Sequence, residues 1–178
     1  MGVVMIFFDF KVLDAAKPWY GINDTVMGGL SRSKMIISPL GYGEFSGHVS
    51  LANGGGFASV RCEFSPIDVS GFTGIYVELD GDRPKDYKVN LKDVDTPQST
   101  VYQAHMPAPS HQTFGVSGAR VLNWQRIEIP FRDFLPQCRG KPISRVAIDL
   151  SQVCSLGLVI GAQQSGDFSL KIKEIGYY

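Results

Sequence analysis

The run Asn53-Gly-Gly-Gly-Phe-Ala-Ser-Val-Arg-Cys-Glu-Phe64 sets the fold class. Ala58, Val60, Cys62 and Phe64 are apolar, and Ser59, Arg61 and Glu63 between them are polar. A two-residue repeat of this kind is a strand with one face in a core and the other in water. The three glycines ahead of it read as a tight connection. They do not make a phosphate loop, because no Lys-Ser/Thr pair follows and no helix signal starts there.

The same alternation recurs outward from that run. Ile75, Val77 and Leu79 alternate with Tyr76, Glu78 and Asp80, and Tyr87, Val89 and Leu91 with Lys88, Asn90 and Lys92. Gln125, Ile127 and Ile129 alternate with Trp124, Arg126 and Glu128, and Val146, Ile148 and Leu150 with Ala147 and Asp149. Phe168, Leu170 and Ile172 alternate with Ser169, Lys171 and Lys173. Residues 156–162 are almost continuously apolar, as in a strand buried at the centre of a sheet. Turn chemistry separates these runs at Pro39-Leu-Gly, Ser70-Gly, Asp80-Gly-Asp-Arg-Pro and Ser165-Gly-Asp. Helix signals are confined to single turns at 14–19 and 131–135. The longest stretch without strand character, residues 93–118, is expected to be interrupted by a strand at 100–105. This pattern predicts an all-β, two-sheet antiparallel jelly-roll sandwich filling residues 1–178 as one domain.

Composition narrows the function classes. The chain has 178 residues, 44% of them hydrophobic, enough for a sizeable core. Seventeen basic residues balance seventeen acidic ones, which gives no electrostatic case for nucleic acid. Cys62, Cys138 and Cys154 are odd in number and widely spaced, so reduced thiols in a cytoplasmic setting are expected, with Cys62 and Cys154 in the core; one oxidised pair is the alternative. Residues 1–8 are apolar but stop at Asp9, which suits a first strand better than a signal peptide or a membrane span.

No catalytic or metal constellation is legible. His48, His105 and His111 lack ligand spacing, no Gly-x-Ser-x-Gly elbow occurs, and Asp80, Asp82, Asp93 and Asp95 form no calcium loop. The densest polar cluster is Trp19-Tyr-Gly-Ile-Asn-Asp-Thr-Val-Met-Gly-Gly-Leu-Ser-Arg-Ser33. Asn23 and Asp24 either pin an ordered loop with Trp19 as its apolar plug, or shape a ligand site. Arg61 is expected to pair with Asp24 or to face a groove. Tyr20, Tyr42, Tyr76, Tyr102 and Trp124 stand on polar faces or in loops, where rings stack on sugars or partners or fill a second core. Asn90 and Gln103 add amide groups to such a face.

Two strings are long enough to be specific: Asn23-Asp-Thr-Val-Met-Gly-Gly and Asn53-Gly-Gly-Gly-Phe-Ala-Ser-Val-Arg61. With Asp68-Val-Ser-Gly-Phe-Thr-Gly-Ile, Trp124-Gln-Arg-Ile-Glu-Ile-Pro-Phe-Arg-Asp-Phe134, Leu156-Gly-Leu-Val-Ile and Phe168-Ser-Leu-Lys-Ile-Lys-Glu-Ile175, the chain resembles the complex I intermediate-associated protein 30 family over nearly its whole length. The resemblance implies a galactose-binding-like sandwich. It also implies a non-catalytic, chaperone-like factor binding subunits of a membrane NAD(P)H–quinone oxidoreductase or a related photosynthetic complex. No dinucleotide fingerprint and no presequence accompany it, which implies a stand-alone bacterial member peripheral to a membrane complex. No cofactor is expected. The competing expectation is a carbohydrate-binding module. The binding candidates are Trp19, Asn23, Asp24, Arg61, Asn90, Tyr102, Gln103 and Trp124.

Overall fold

The structure is a computed structural model and describes residues 4–81, 85–107, 113–114, 120–161 and 164–178. His111, Asp82 and Ala162 lie outside the described residues, as does part of the 93–118 segment.

Strands dominate, as the alternation requires. They are β1 (Met5–Asp9), β2 (Trp19–Asn23), β3 (Arg32–Ser38), β4 (Tyr42–Val49) and β5 (Ala58–Ile67). Then follow β6 (Gly74–Gly81), β7 (Tyr87–Asp93), β8 (Thr100–Met106), β9 (Thr113–Phe114) and β10 (Arg120–Val121). The last are β11 (Gln125–Pro130), β12 (Leu135–Cys138), β13 (Lys141–Pro142), β14 (Val153–Ile160) and β15 (Gly166–Tyr177). Single 3-10 turns at Leu13–Ala16 and Phe131–Asp133 fall where the short helix signals stood.

Two antiparallel sheets result. One runs β11-β6-β15-β4-β3, with β1 also on β15. Its central β15 pairs β4 through Ile172 and β1 from Glu174 onward, so these two strands share one edge. The other runs β13-β12-β8-β7-β14-β5-β2, with the apolar β14 near its centre. β9 and β10 form a separate ribbon.

The inward sets of both sheets are buried together: Phe45, Ile75, Val77, Leu79, Leu170 and Ile172 against Val60, Cys62, Val89, Leu91, Leu156 and Leu158. Rings cross the gap, with Phe45 6.2 Å and Phe168 6.5 Å from Tyr87. This is the jelly-roll sandwich expected from the alternation, with a dry interior between two layers.

Residues 146–150 depart from their strand expectation. Val146 is 77% exposed, and no ladder forms there. Its backbone is held by other groups instead. The Tyr102 hydroxyl donates to the Val146 carbonyl at 2.8 Å, and the Asp149 N–H donates to Asp93 Oδ2 at 2.8 Å. Once side chains satisfy the backbone, alternation alone does not make a strand.

Candidate functional site

The loop residues singled out from the sequence turn inward. Asp24 is fully buried. Its Oδ1 accepts the Ser31 N–H at 3.0 Å, and its Oδ2 accepts the Ser31 hydroxyl at 2.5 Å, the Gly56 N–H at 2.7 Å and the Phe57 N–H at 3.3 Å. Burial alone would raise this carboxyl, but the donated bonds outweigh it and hold the pKa below the usual carboxylate value. Gly55 is required beside it: a Cβ there would stand 2.6 Å from Asp24 Oδ2 and 2.8 Å from the Ser50 carbonyl. The Asn53 amide donates to the Gly28 carbonyl at 3.1 Å, so the two glycine-rich strings of the sequence are one knot. Asn23 does the same for strands: its Oδ1 accepts the Ser33 hydroxyl at 2.6 Å and the Ser59 N–H at 3.2 Å, tying β2, β3 and β5.

The expected Arg61–Asp24 pair does not form. Asp24 lies among backbone donors at the loop junction, whereas Arg61 projects from the outer face of β5 with Glu63 at 3.9 Å. Trp19 is a core residue, its ring 5.1 Å from Phe8 and 6.2 Å from Phe10, with its indole N–H left without an acceptor among the described residues. Tyr102, expected on an open face, is fully buried. Its hydroxyl receives the Arg145 Nε–H at 2.9 Å and anchors the 145–146 segment. Trp124 borders the other sheet and packs edge-on to Tyr42 at 5.8 Å. Cys154, expected in the core, is half-buried, while Cys62 is in the core.

What remains of the candidate set converges on the outer face of the seven-stranded sheet. The registers place Tyr20, Arg61, Gly157, Asn90, Gln103 and Leu135 in one row across β2, β5, β14, β7, β8 and β12. The Gln103 amide donates to Asn90 Oδ1 at 2.8 Å. Gly157 stands between Arg61 and Asn90 in this row with no side chain of its own, and is itself buried. Tyr20 is 44% exposed and lies against Glu63 and Arg61; partial burial first, and the Glu63 carboxylate next, raise its pKa.

Below this row the sheet is distorted. From Val153 to Ser155, two residues on β14 span four on β5 (Ile67 to Glu63) and one on β7 (Asp93 to Lys92). Pro66 falls inside the widened part of β5, where its missing N–H breaks the ladder. Beside this slip lies an open pocket of about 300 Å³ lined by Glu63, Phe64, Lys92, Asp93, Val94, Thr96, Cys154 and Ser155. Lys92 is only 8% exposed and donates to the Gln98 carbonyl at 3.2 Å. Burial, then the Arg61 charge, lower its pKa against the pull of Glu63, Cys154 and Asp93. Asp93 is fully engaged: Oδ1 accepts the Asp95 N–H and the Thr96 hydroxyl, and Oδ2 the Asp149 N–H. Burial and Asp93 raise the Cys154 thiol, which Lys92 only partly offsets.

Tyr20 was noted in the sequence only as one of several non-core aromatics. Lys88, Lys92 and Gly157 drew no attention, although their parity on β7 and β14 would have put them on the face of Asn90.

Residues 8–172 match the family described as complex I intermediate-associated protein 30, a span that takes in both glycine-rich strings. The chain belongs to that family. Membership supports a complex I assembly-type role with protein partners. A search of curated proteins finds no match. Among solved structures the chain is similar to the family 11 carbohydrate-binding module from Clostridium thermocellum in complex with a beta-1,3-1,4-mixed-linked tetrasaccharide, at 16% identity and TM-score 0.65, over 99% of this chain and 96% of that one. It is also similar to a family 30 carbohydrate-binding module of a Clostridium thermocellum cellulosomal cellulase, at 15% identity and TM-score 0.53, over 97% and 95%. A third is the agarase AgWH50C, at 14% identity and TM-score 0.60, over 99% of this chain and 24% of that one. At these identities the likeness establishes the galactose-binding-like sandwich and nothing finer. Among the described residues no helix is long and apolar enough to cross a membrane, and no group of His, Cys, Asp and Glu is arranged to hold a metal.

Proposed function

We propose that this family member is a non-catalytic assembly factor, a single β-sandwich domain that binds subunits of an NAD(P)H–quinone oxidoreductase or a related photosynthetic complex while working at the periphery of that membrane complex. The family match over residues 8–172 carries the reading. The outer face of the seven-stranded sheet, around Tyr20, Arg61, Asn90 and Gln103, is the binding surface on this reading. It is a broad strand platform with polar groups spread across it, which suits a macromolecular partner. The Asp24 and Asn23 knots serve this surface from behind by fixing β2, β3 and β5. The test is affinity purification of the tagged protein from its own cells, with the co-eluting proteins identified. Oxidoreductase or photosystem subunits are expected, and their absence from repeated purifications overturns the reading.

A second reading is carbohydrate binding. One feature favours it: the exposed Tyr20 ring shares a face with the Gln103–Asn90 amide pair, a combination able to stack on a sugar and bond its hydroxyls. A glycan array decides it, and silence across plant and algal glucans and galactans removes it.

A further inference from the structure

We propose that the outer face of the seven-stranded sheet docks an extended acidic segment of a protein partner, with one carboxylate entering the cavity to meet Lys92. This rests on the protein-partner reading above and adds the chemistry of the segment recognised.

The first observation is the imbalance of charge between the two outer faces. On the six-stranded sheet acids stand beside the cations: Lys173 is 2.9 Å from Glu78, Arg126 2.9 Å from Glu128 and His48 Nδ1 2.7 Å from Asp167, and Arg32, Lys34 and Lys171, which have no ion pair among the described residues, share the sheet with Glu44, Asp80 and Glu174. On the seven-stranded sheet Arg61, Lys88 and Lys92 share one face, and Glu63 is the acid among them, 3.9 Å from Arg61. Asp93 is consumed by three protein donors, and Asp86 is paired with His105 at 3.2 Å. Lys88 and Lys92 have no carboxylate within ion-pair distance among the described residues.

The second observation is the state of Lys92. A buried ammonium is costly unless its donors are met. It has three donors, and the Gln98 carbonyl is the acceptor the structure gives it. Lys92 also lines the pocket beside the β14 register slip, together with Glu63 and Asp93. A carboxylate placed there would supply Lys92 with a charge-assisted hydrogen bond.

The spacing sets the form of the partner. Lys88 and Lys92 lie four residues apart on one face of β7, about 13 Å at the rise of a strand. An extended segment running along β7 matches both with acidic side chains four residues apart.

The probe is a fluorescein-labelled octaglutamate peptide, with octaglutamine as its neutral twin, read by fluorescence anisotropy on the full chain at low and moderate salt. Octaglutamate is expected to bind more tightly than octaglutamine and to weaken with salt. Lys92→Met and Lys88→Gln are each expected to weaken it severalfold, and together by about tenfold or more. Lys34→Gln, on the opposite sheet, is expected to leave it unchanged. Thermal melts check each variant, and the half-buried Lys88 carries the test if Lys92→Met fails to fold. Equal binding of the two peptides overturns the inference, and so does an equal loss in Lys34→Gln. Preference for polygalacturonate over octaglutamate also overturns it, in favour of an acidic polysaccharide. If subunits co-purify equally with wild type and the Lys88→Gln/Lys92→Met double variant, the acidic docking fails and the assembly role stands. If octaglutamate binds as expected and no such subunit co-purifies, the assembly role fails instead.

Discussion

Replacing Asp24 by asparagine exchanges one carboxylate oxygen for an amide nitrogen and tests whether this carboxylate holds the loop knot together. Its Oδ2 receives three donors and its Oδ1 one, all in a fully buried setting. The amide nitrogen of asparagine must replace one of these oxygens. The least costly orientation sets it against the Ser31 N–H, leaving two donors facing each other at a cost of about 1–3 kcal/mol. The three retained bonds lose the assistance of a full charge, which roughly halves each. Burying a neutral amide in place of an anion recovers part of the loss. The net expectation is about 3 kcal/mol of destabilisation, or roughly 6–12 °C in Tm for a chain of this size. Asp24→Ala leaves all four donors without the carboxylate and is expected to cost about 4–5 kcal/mol. The pH dependence has a definite sign. The folded-state pKa is depressed below the unfolded value, so this stabilisation is complete above the ordinary carboxylate range and is lost as pH falls through the folded value. The wild type should therefore lose its advantage over Asp24→Asn in acid melts. Thermal denaturation followed by circular dichroism reads both effects. An Asp24→Asn protein melting within about 2 °C of wild type at neutral pH, with the gap unchanged in acid, would refute the account of Asp24 as the charged centre of the knot.

Arg61→Ala should lower stability by about 1 kcal/mol or less, since its Glu63 contact is long and near the surface, while weakening partner capture in the same pull-down. A melt drop of several kcal/mol would mean that Arg61 is structural after all. Gly176→Ala should destabilise by about 2–3 kcal/mol, because the new Cβ would strike the Met5 carbonyl and stand 2.6 Å from the Tyr76 ring, which Arg126 clamps from 3.8 Å; chemical denaturation measures it, and a neutral result would show that Tyr76 has room to move. Cys62 is buried and its thiol is pushed up to about 11, so iodoacetamide at pH 8 should label it only in denaturant, as mass spectrometry of the digest would show. Labelling in the native protein at the rate of the half-buried Cys138 would contradict its place in the core.

The strands were legible because burial imposes a period of two on side chains, and that period is written locally in β5, β6, β7, β11 and β15. Tyr76 shows the limit of the rule. It faces outward as the parity of β6 requires, yet Arg126 and the space left by Gly176 bury it. Residues 146–150 show the opposite failure, where the Tyr102 hydroxyl as donor and the Asp93 carboxylate as acceptor replaced the ladder that alternation implied. The candidate site was legible only in part. Arg61, Asn90 and Gln103 were named and do share a face. Trp19, Asn23, Asp24 and Tyr102 were named for the same polar and aromatic signals, but they are spent on packing and on backbone donors.

The sequence by itself determined that short strands with one wet face stack into two layers, because alternation and turn residues act over a few positions. It also determined the family, through two glycine-rich strings that the fold then knots around Asp24. Only the tertiary structure decided which polar residues stand together. β2, β5, β14, β7 and β8 are adjacent in space but scattered through the chain, and their mutual register follows from pairings between distant segments. That register brings Tyr20, Arg61, Asn90 and Gln103 into one row, and its slip at Cys154 lies beside the pocket that Lys92 lines.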